Sequence, residues 1–353
     1  MKNEKHKFSY NWTLKNAIFT KDKGKVFSCF ACGGGSTMGY KLAGFDVIGH
    51  NDIDKKMIEV YKENHNPTYS FLESITTFAK RKDLPEDLYN LDILDGSPPC
   101  SSFSISGNRE KDWGKEKVFR EGQAEQVLDT LFFDFIDLAK ELQPKVVVAE
   151  NVKGLLMGAA KEYVIKIYEE FDKAGYYCQH FLLDASKMGV PQRRERVFFI
   201  CLRKDLAKPF LHWQDMFTEM PKIEMQFNEN KIPFKKIEDL KDNVNNLTEL
   251  KNKYWLKRKD GDIDLSTIAL REENKLTMFN AKFIYKDKVS NTITGNDCCI
   301  LFHKPRFRNK KELVKCGTFP QDYNFLKLKT EYLIGMSVPP VMTAQIASNI
   351  YEQ

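Results

Sequence analysis

The sequence predicts an α/β protein built on a doubly wound, mostly parallel sheet, with a second, smaller and loop-rich domain. Three observations carry this expectation. Between residue 25 and about 203, apolar runs rich in β-branched and aromatic residues alternate with longer amphipathic stretches, the pattern of strands joined by crossover helices. A glycine-rich turn follows the first of those runs. Beyond about residue 204 the alternation stops, and segments such as FNENKIPFKKIEDLKDNVNNL and WLKRKDGDIDLS are polar and irregular.

Taken in order, KVFSCF (25–30), FDVIGHN (45–51), YNLDILD (89–95), KVVVAEN (145–151) and RVFFICL (196–202) read as strands. Each is a short apolar run enriched in Val, Ile and Phe. In QAEQVLDTLFFDFIDLAKELQ, Val127, Leu131, Phe135, Leu138 and Leu142 recur at spacings of four and three, which predicts a helix closed by Pro144. The final stretch, YLIGMSVPPVMTAQIASNIYEQ, turns helical after Pro340. The expected division is a large domain of residues 1–203 plus 330–353 and a small one of 204–329.

At 353 residues and 42% hydrophobic, the chain can bury a sizeable core. No apolar run reaches the roughly 18–20 residues of a membrane span, and the start, MKNEKHKFSYNWTLKN, lacks a signal peptide's apolar stretch, so a cytoplasmic protein is expected. The eight cysteines are scattered, mostly within apolar stretches, and read as reduced thiols. Cys29 and Cys32 form a C-x-x-C with no second pair and no nearby histidines, so no metal is expected. The net charge is +6, and residues 222–311 hold 20 Lys and Arg against 13 Asp and Glu. The basic excess therefore sits in the irregular region, as a phosphate-binding surface would have it.

Four places at strand ends carry chemistry. VFSCFACGGGSTMGYKLAG (26–44) is a strand, a glycine turn and a helix start, yet its spacing is not the G-x-G-x-x-G of dinucleotide binders, which suggests a nucleotide-like ligand without a clamped pyrophosphate. Asp52 ends the next strand about 17 residues past Gly35, near the spacing at which an acid takes a ribose hydroxyl pair. In GSPPCSSFSISG (96–107), Pro98 and Pro99 stiffen the chain just before Cys100, presenting a thiol outside a strand's carboxyl end. Glu150 and Asn151 end KVVVAEN, and Arg194 and Arg196 alternate into the following strand, which places them on one face.

This assembly resembles the DNA (cytosine-5)-methyltransferases. FACGGG, NDID, GSPPCSSFS, DTLFFDF, ENV, QRRERVFF, FRNKKELVKCGTFPQDY and GMSVPP stand in that family's order, over residues 26–203 and about 306–350. The resemblance implies an S-adenosylmethionine-dependent, Rossmann-like catalytic domain and a target-recognition region at about 204–305. It implies Cys100 as the nucleophile at carbon 6 of a flipped-out cytosine, Glu150 on ring nitrogen 3 and the exocyclic amine, and Arg194 and Arg196 at the carbonyl oxygen and the cysteine loop. The cofactor is expected along Phe30, Ala31, Gly33 and Gly35, with Asp52, Ile53, Glu73, Pro99, Leu131 and Ser337 around it. The adenine-contacting acid is expected near Glu73, with SFLESIT leaving one residue of freedom in register. The loop Ser101–Gln126 is expected to close over the extruded base.

The partner this implies is double-stranded DNA, bound by a monomer, with a cognate restriction endonuclease as a further partner and no membrane. An RNA (tRNA) cytosine-5 methyltransferase of the same family is the alternative, although the Cys-Phe-Thr tripeptide of its RNA-active branch is absent from the middle region. A non-catalytic nucleic-acid binder would need a broken site, and all four catalytic positions are filled. Two positions depart from the family. Met336 stands after Gly335 where Asn is usual, and Thr318 stands two places before Pro320 where Gly is usual.

Overall fold

All five expected strands form, and two more join them. The strands are β1 (Lys25–Cys29), β2 (Asp46–Asp52), β3 (Tyr69–Leu72), β4 (Ile93–Gly96), β5 (Val146–Val152), β6 (Tyr176–Asp184) and β7 (Glu195–Arg203). They make one seven-stranded sheet in the order β3-β2-β1-β4-β5-β7-β6. The β1–β2, β1–β4, β2–β3 and β4–β5 pairs are parallel, whereas β7 runs antiparallel to β5. This computed structural model describes residues 6–99, 116–117, 126–127, 130–158, 160–213, 219–240 and 246–353.

Helices lie on both faces because the inner strands are apolar on both. Alternate residues of β1 look opposite ways. Phe27 and Cys29 join Leu94, Val147 and Phe199 in a core with helices α3 (Leu131–Leu142) and α4 (Ala160–Lys173), while Ser28 reaches helix α1 (Gly35–Leu42). Helix α2 (Lys55–His65) sends Tyr61 to stack on His50 of β2, ring centroids 3.6 Å apart.

One boundary needs correction. The helix expected from Val127 starts at Leu131, and Gln126–Val127 instead pairs antiparallel with Glu116–Lys117. From Leu131 the apolar stripe holds: Leu131, Phe135, Leu138 and Leu142 are all buried. Gln143 ends the helix in a left-handed turn, its N–H on the Ala139 carbonyl, just before Pro144.

The chain divides into two compact units. The sheet unit comprises Phe19–Leu183, Glu195–Gln226 and Ile346–Gln353; the other comprises Met1–Ile18, Asp184–Arg194 and Phe227–Gln345. These limits differ from a division at 204: the stretch up to Gln226 packs with the sheet, while Asp184–Arg194 packs with the second unit. In the second unit, short helices α5 (Glu249–Leu256) and α6 (Leu265–Glu273) close on a small core of Tyr254, Trp255, Leu265, Ile268, Ala269, Ala281, Phe283 and Ile300. Buried charge pairs supplement so small a core. Arg306 holds Glu312 through two hydrogen bonds of 2.8 and 2.7 Å, and Arg308 pairs with Asp297. Glu312 in turn completes a capping box with Asn309 at the start of helix α7 (Lys310–Cys316).

Candidate active site

The sheet order reverses between β1 and β4, and open α/β sheets bind ligands outside the strand ends at such a reversal. β1 leads there into the glycine turn. Phe30 (φ 52°), Cys32 (φ 51°) and Gly34 (φ 79°) are left-handed there. Gly34 needs to lack a side chain, since a Cβ there would lie 2.3 Å from Nε2 of His65. Left-handed backbone at Phe30 and Cys32 costs roughly 1–2 kcal/mol each. Hydrogen bonds from the neighbouring strand offset it. Oδ2 of Asp52 accepts the Cys32 N–H at 2.8 Å, and the Asn51 carbonyl accepts that of Ala31 at 3.3 Å.

Asp52 is thus where the sequence placed it, at the end of β2 against the turn. Its other oxygen accepts the Asp54 N–H at 2.8 Å. Phe30, Asp52 and Ile53 are half-buried, while Ala31, Gly33 and Gly35 are buried. Glu73 is drawn in by its backbone, its N–H on the Asp52 carbonyl and its own carbonyl accepting from Asn51 Nδ2. Its carboxylate binds Arg81 at 2.8 Å. The adjacent Ser74 hydroxyl caps the short helix Ile75–Phe78 through the Thr77 N–H.

β4 leads into the proline loop. Cys100 lies outside the described residues, as does most of Ser101–Gln126; the loop is described as far as Pro99. Asn151 Nδ2 donates to the Pro98 carbonyl at 3.3 Å, so the end of β5 holds the chain two residues before the cysteine. Next to Asn151, Glu150 pairs with Arg196 of β7, Oε1 to Nε 2.9 Å, both side chains mostly buried. Leu131 opens α3 as part of the core, and Phe135 one turn later packs its ring against Phe30, centroids 6.3 Å apart.

Arg194 and Arg196 do not serve one partner. The Arg194 guanidinium is buried in the second unit and donates to the carbonyls of Ile293 (3.3 Å) and Gly335 (3.1 Å). Alternation predicts a shared face only within a strand, and β7 begins after Arg194. Also in the second unit, Ser337 is buried at the end of helix α8 (Thr330–Met336) and donates its hydroxyl to the Leu333 carbonyl at 2.8 Å. Of the two departures, Met336 is 39% exposed, whereas Thr318 is buried. Thr318 takes the left-handed conformation (φ 56°) that a glycine there would take freely.

One polar group at the strand ends escaped the sequence reading. Asp95, buried in β4, accepts hydrogen bonds from Ser28, Ser36 and Tyr40. Its signal was an acid inside the apolar run DILDG. Among the described residues no group of three His, Cys, Asp or Glu could hold a metal ion, and no helix is long and apolar enough to cross a membrane.

Comparison with known proteins bears on this geometry. The family model described as C-5 cytosine-specific DNA methylase matches residues 24–352. Type II methyltransferase M.FnuDI of Fusobacterium nucleatum is 36% identical over 52% of the chain, a stretch covering 48% of that relative, so the chain spans about half its length. Type II methyltransferase M.NgoFVII of Neisseria gonorrhoeae is 26% identical over 96% of the chain and 89% of its own. A crystal structure of a candidate DNA modification methyltransferase encoded within a prophage (E. coli) superposes with TM-score 0.63 at 21% identity, covering 93% of this chain and 98% of that one, which shows the fold.

Proposed function

Because the chain belongs to the C-5 cytosine-specific DNA methylase family, we propose that it methylates carbon 5 of cytosine in duplex DNA, with Cys100 as nucleophile and S-adenosylmethionine as donor. The observation that supports this most is the convergence of three strand ends. The proline loop held by Asn151, the Glu150–Arg196 pair and the turn strapped to Asp52 all belong to one edge of the sheet unit.

The donor set fits this cofactor. Phe30 offers a half-buried ring, Asp52 a half-buried carboxylate at the end of β2 against the turn, and the turn itself a largely buried backbone. Phe30, Ala31, Gly33, Gly35, Asp52, Ile53, Glu73, Pro99 and Leu131 of the sheet unit would hold it. When bound, S-adenosylmethionine supplies an electrophilic methyl group. The remaining chemistry belongs to the chain. The Cys100 thiolate adds to carbon 6 of the base, which requires the cytosine to be extruded from the stack at a cost of a few kcal/mol. Glu150 binds ring nitrogen 3 and the exocyclic amine, so the ring can accept the electron pair that attack delivers. Arg196 fixes the Glu150 carboxylate and would contact the base's carbonyl oxygen. Loss of the carbon-5 proton after methylation restores the ring and expels Cys100. The Arg194 guanidinium holds the Ile293 and Gly335 carbonyls within the second unit. The basic region at about 204–305 binds phosphates and reads the groove.

The test is transfer of a labelled methyl group to duplex DNA and to transfer RNA in parallel. We expect label in DNA alone, and none from Cys100→Ser. Label in transfer RNA alone would move the substrate to RNA.

A further inference from the structure

Ser28 and Asp95 are register partners on β1 and β4, the two strands between which the sheet order reverses. The Asp95 side chain is 4% exposed and accepts three hydroxyl hydrogen bonds. Oδ2 receives Ser28 Oγ and Ser36 Oγ, each at 2.7 Å, and Oδ1 receives the Tyr40 hydroxyl at 3.1 Å. Ser28 lies two residues before Phe30, and Ser36 follows Gly35 directly. A single carboxylate oxygen therefore ties together the two ends of the glycine turn. None of the motifs that identify the family assigns this work to Asp95.

We propose that Asp95 is a positioning residue for the cofactor: it closes the turn 29–35 into its binding shape before the ligand arrives, and so raises affinity by preorganisation. This rests on the reading that the turn holds S-adenosylmethionine. Geometry distinguishes the three bonds. Those from Ser28 and Ser36 bracket the turn, while that from Tyr40, one turn further along α1, does not. Only the first two should govern the ligand.

Such a carboxylate is a poor choice for stability alone. Burial is the largest influence on it and pushes its pKa up to about 6, against the lowering effect of the three hydroxyls, with Glu150 adding to the rise. A folded-state pKa raised above the unfolded value gives a contribution that is complete below about pH 4 and is lost as pH rises through about 6. At neutral pH the ion costs stability. Asp95→Asn removes that cost, so relative to wild type its melting temperature should rise between pH 4 and pH 7.5.

The test is calorimetric titration with S-adenosylhomocysteine, a readout independent of turnover, on wild type, Ser36→Ala, Asp95→Asn and Tyr40→Phe. Losing a hydrogen bond to a charged acceptor corresponds to roughly a tenfold change or more. We expect Ser36→Ala and Asp95→Asn to bind about tenfold more weakly and Tyr40→Phe to stay within about twofold of wild type. Wild-type affinity should also fall as pH drops below 6, and that of Asp95→Asn should not. Equal affinity in all four proteins, or equal weakening in all three variants, overturns the positioning role while leaving the cofactor site in place. Failure of the wild type itself to bind overturns the cofactor reading and this proposal with it.

Discussion

Asn151 joins two motifs that stand far apart in the chain. Its Nδ2 donates to the Pro98 carbonyl, while its Oδ1 accepts the N–H of Val152 at 2.8 Å, so both ends of the amide are committed and the side chain cannot swing. Pro98 is buried, and its carbonyl would lose a partner if Asn151 were shortened. Leaving such a group unsatisfied costs roughly 1–3 kcal/mol, enough to let the loop before Cys100 drift. Asn151→Ala is therefore expected to lower kcat by about tenfold or more and to weaken S-adenosylhomocysteine binding much less, because of the residues assigned to the cofactor only Pro99 lies on that loop, while the turn at Phe30 is held by Asp52 and Asp95. Steady-state kinetics beside calorimetry checks this, and equal losses in both would contradict it. The residue itself was readable in the sequence as the end of ENV. Its partner was not, since Pro98 lies 53 positions away. Asp95 was less readable still, because its donors lie 55 to 67 positions off and its own surroundings look apolar.

The start of helix α9 (Pro340–Glu352) shows how an element absorbs a departure from its family. The first N–H groups of a helix have no partner within it. Here the Thr318 hydroxyl accepts the Val341 N–H at 3.2 Å, which a glycine could not do. The left-handed backbone that threonine must adopt is held by the N-terminal segment, whose Trp12 indole donates to the Thr318 carbonyl at 2.9 Å. Thr318→Val keeps the strain and removes the cap, so it should lower the urea midpoint by the equivalent of about 1 kcal/mol at unchanged slope. Thr318→Gly relieves the one as it loses the other and should be near neutral. A Thr318→Val protein as stable as wild type would contradict the cap. Elements also explain what the sequence hid. The two strands it missed, β3 and β6, are the two edges of the sheet. Edge strands are covered less fully, so YSFL and YYCQHFLLD mix polar with apolar residues and never form the continuous apolar runs that revealed β1, β4, β5 and β7.

At the scale of the molecule, the fold class and the placing of candidate residues at strand ends were legible because both follow from local pattern: apolar runs of strand length, a glycine turn, an acid at the next strand end. The partition into units was less so. It depends on which face Asp184–Arg194 and Lys204–Gln226 pack against, and neither stretch has a period that says so. Arg194 illustrates the consequence, since two positions from Arg196 it serves a different unit. The arrangement as a whole has one purpose in this account: to bring a thiolate to carbon 6 of an extruded cytosine. The direct measurement is incubation with S-adenosylmethionine and a randomised duplex pool carrying 5-fluorocytosine, whose fluorine blocks the proton loss that would free the enzyme. The account predicts a denaturation-resistant protein–DNA adduct through Cys100, absent from Cys100→Ser. Methylation of the matched cytosine pool without any adduct, or an adduct formed equally by Cys100→Ser, would contradict it.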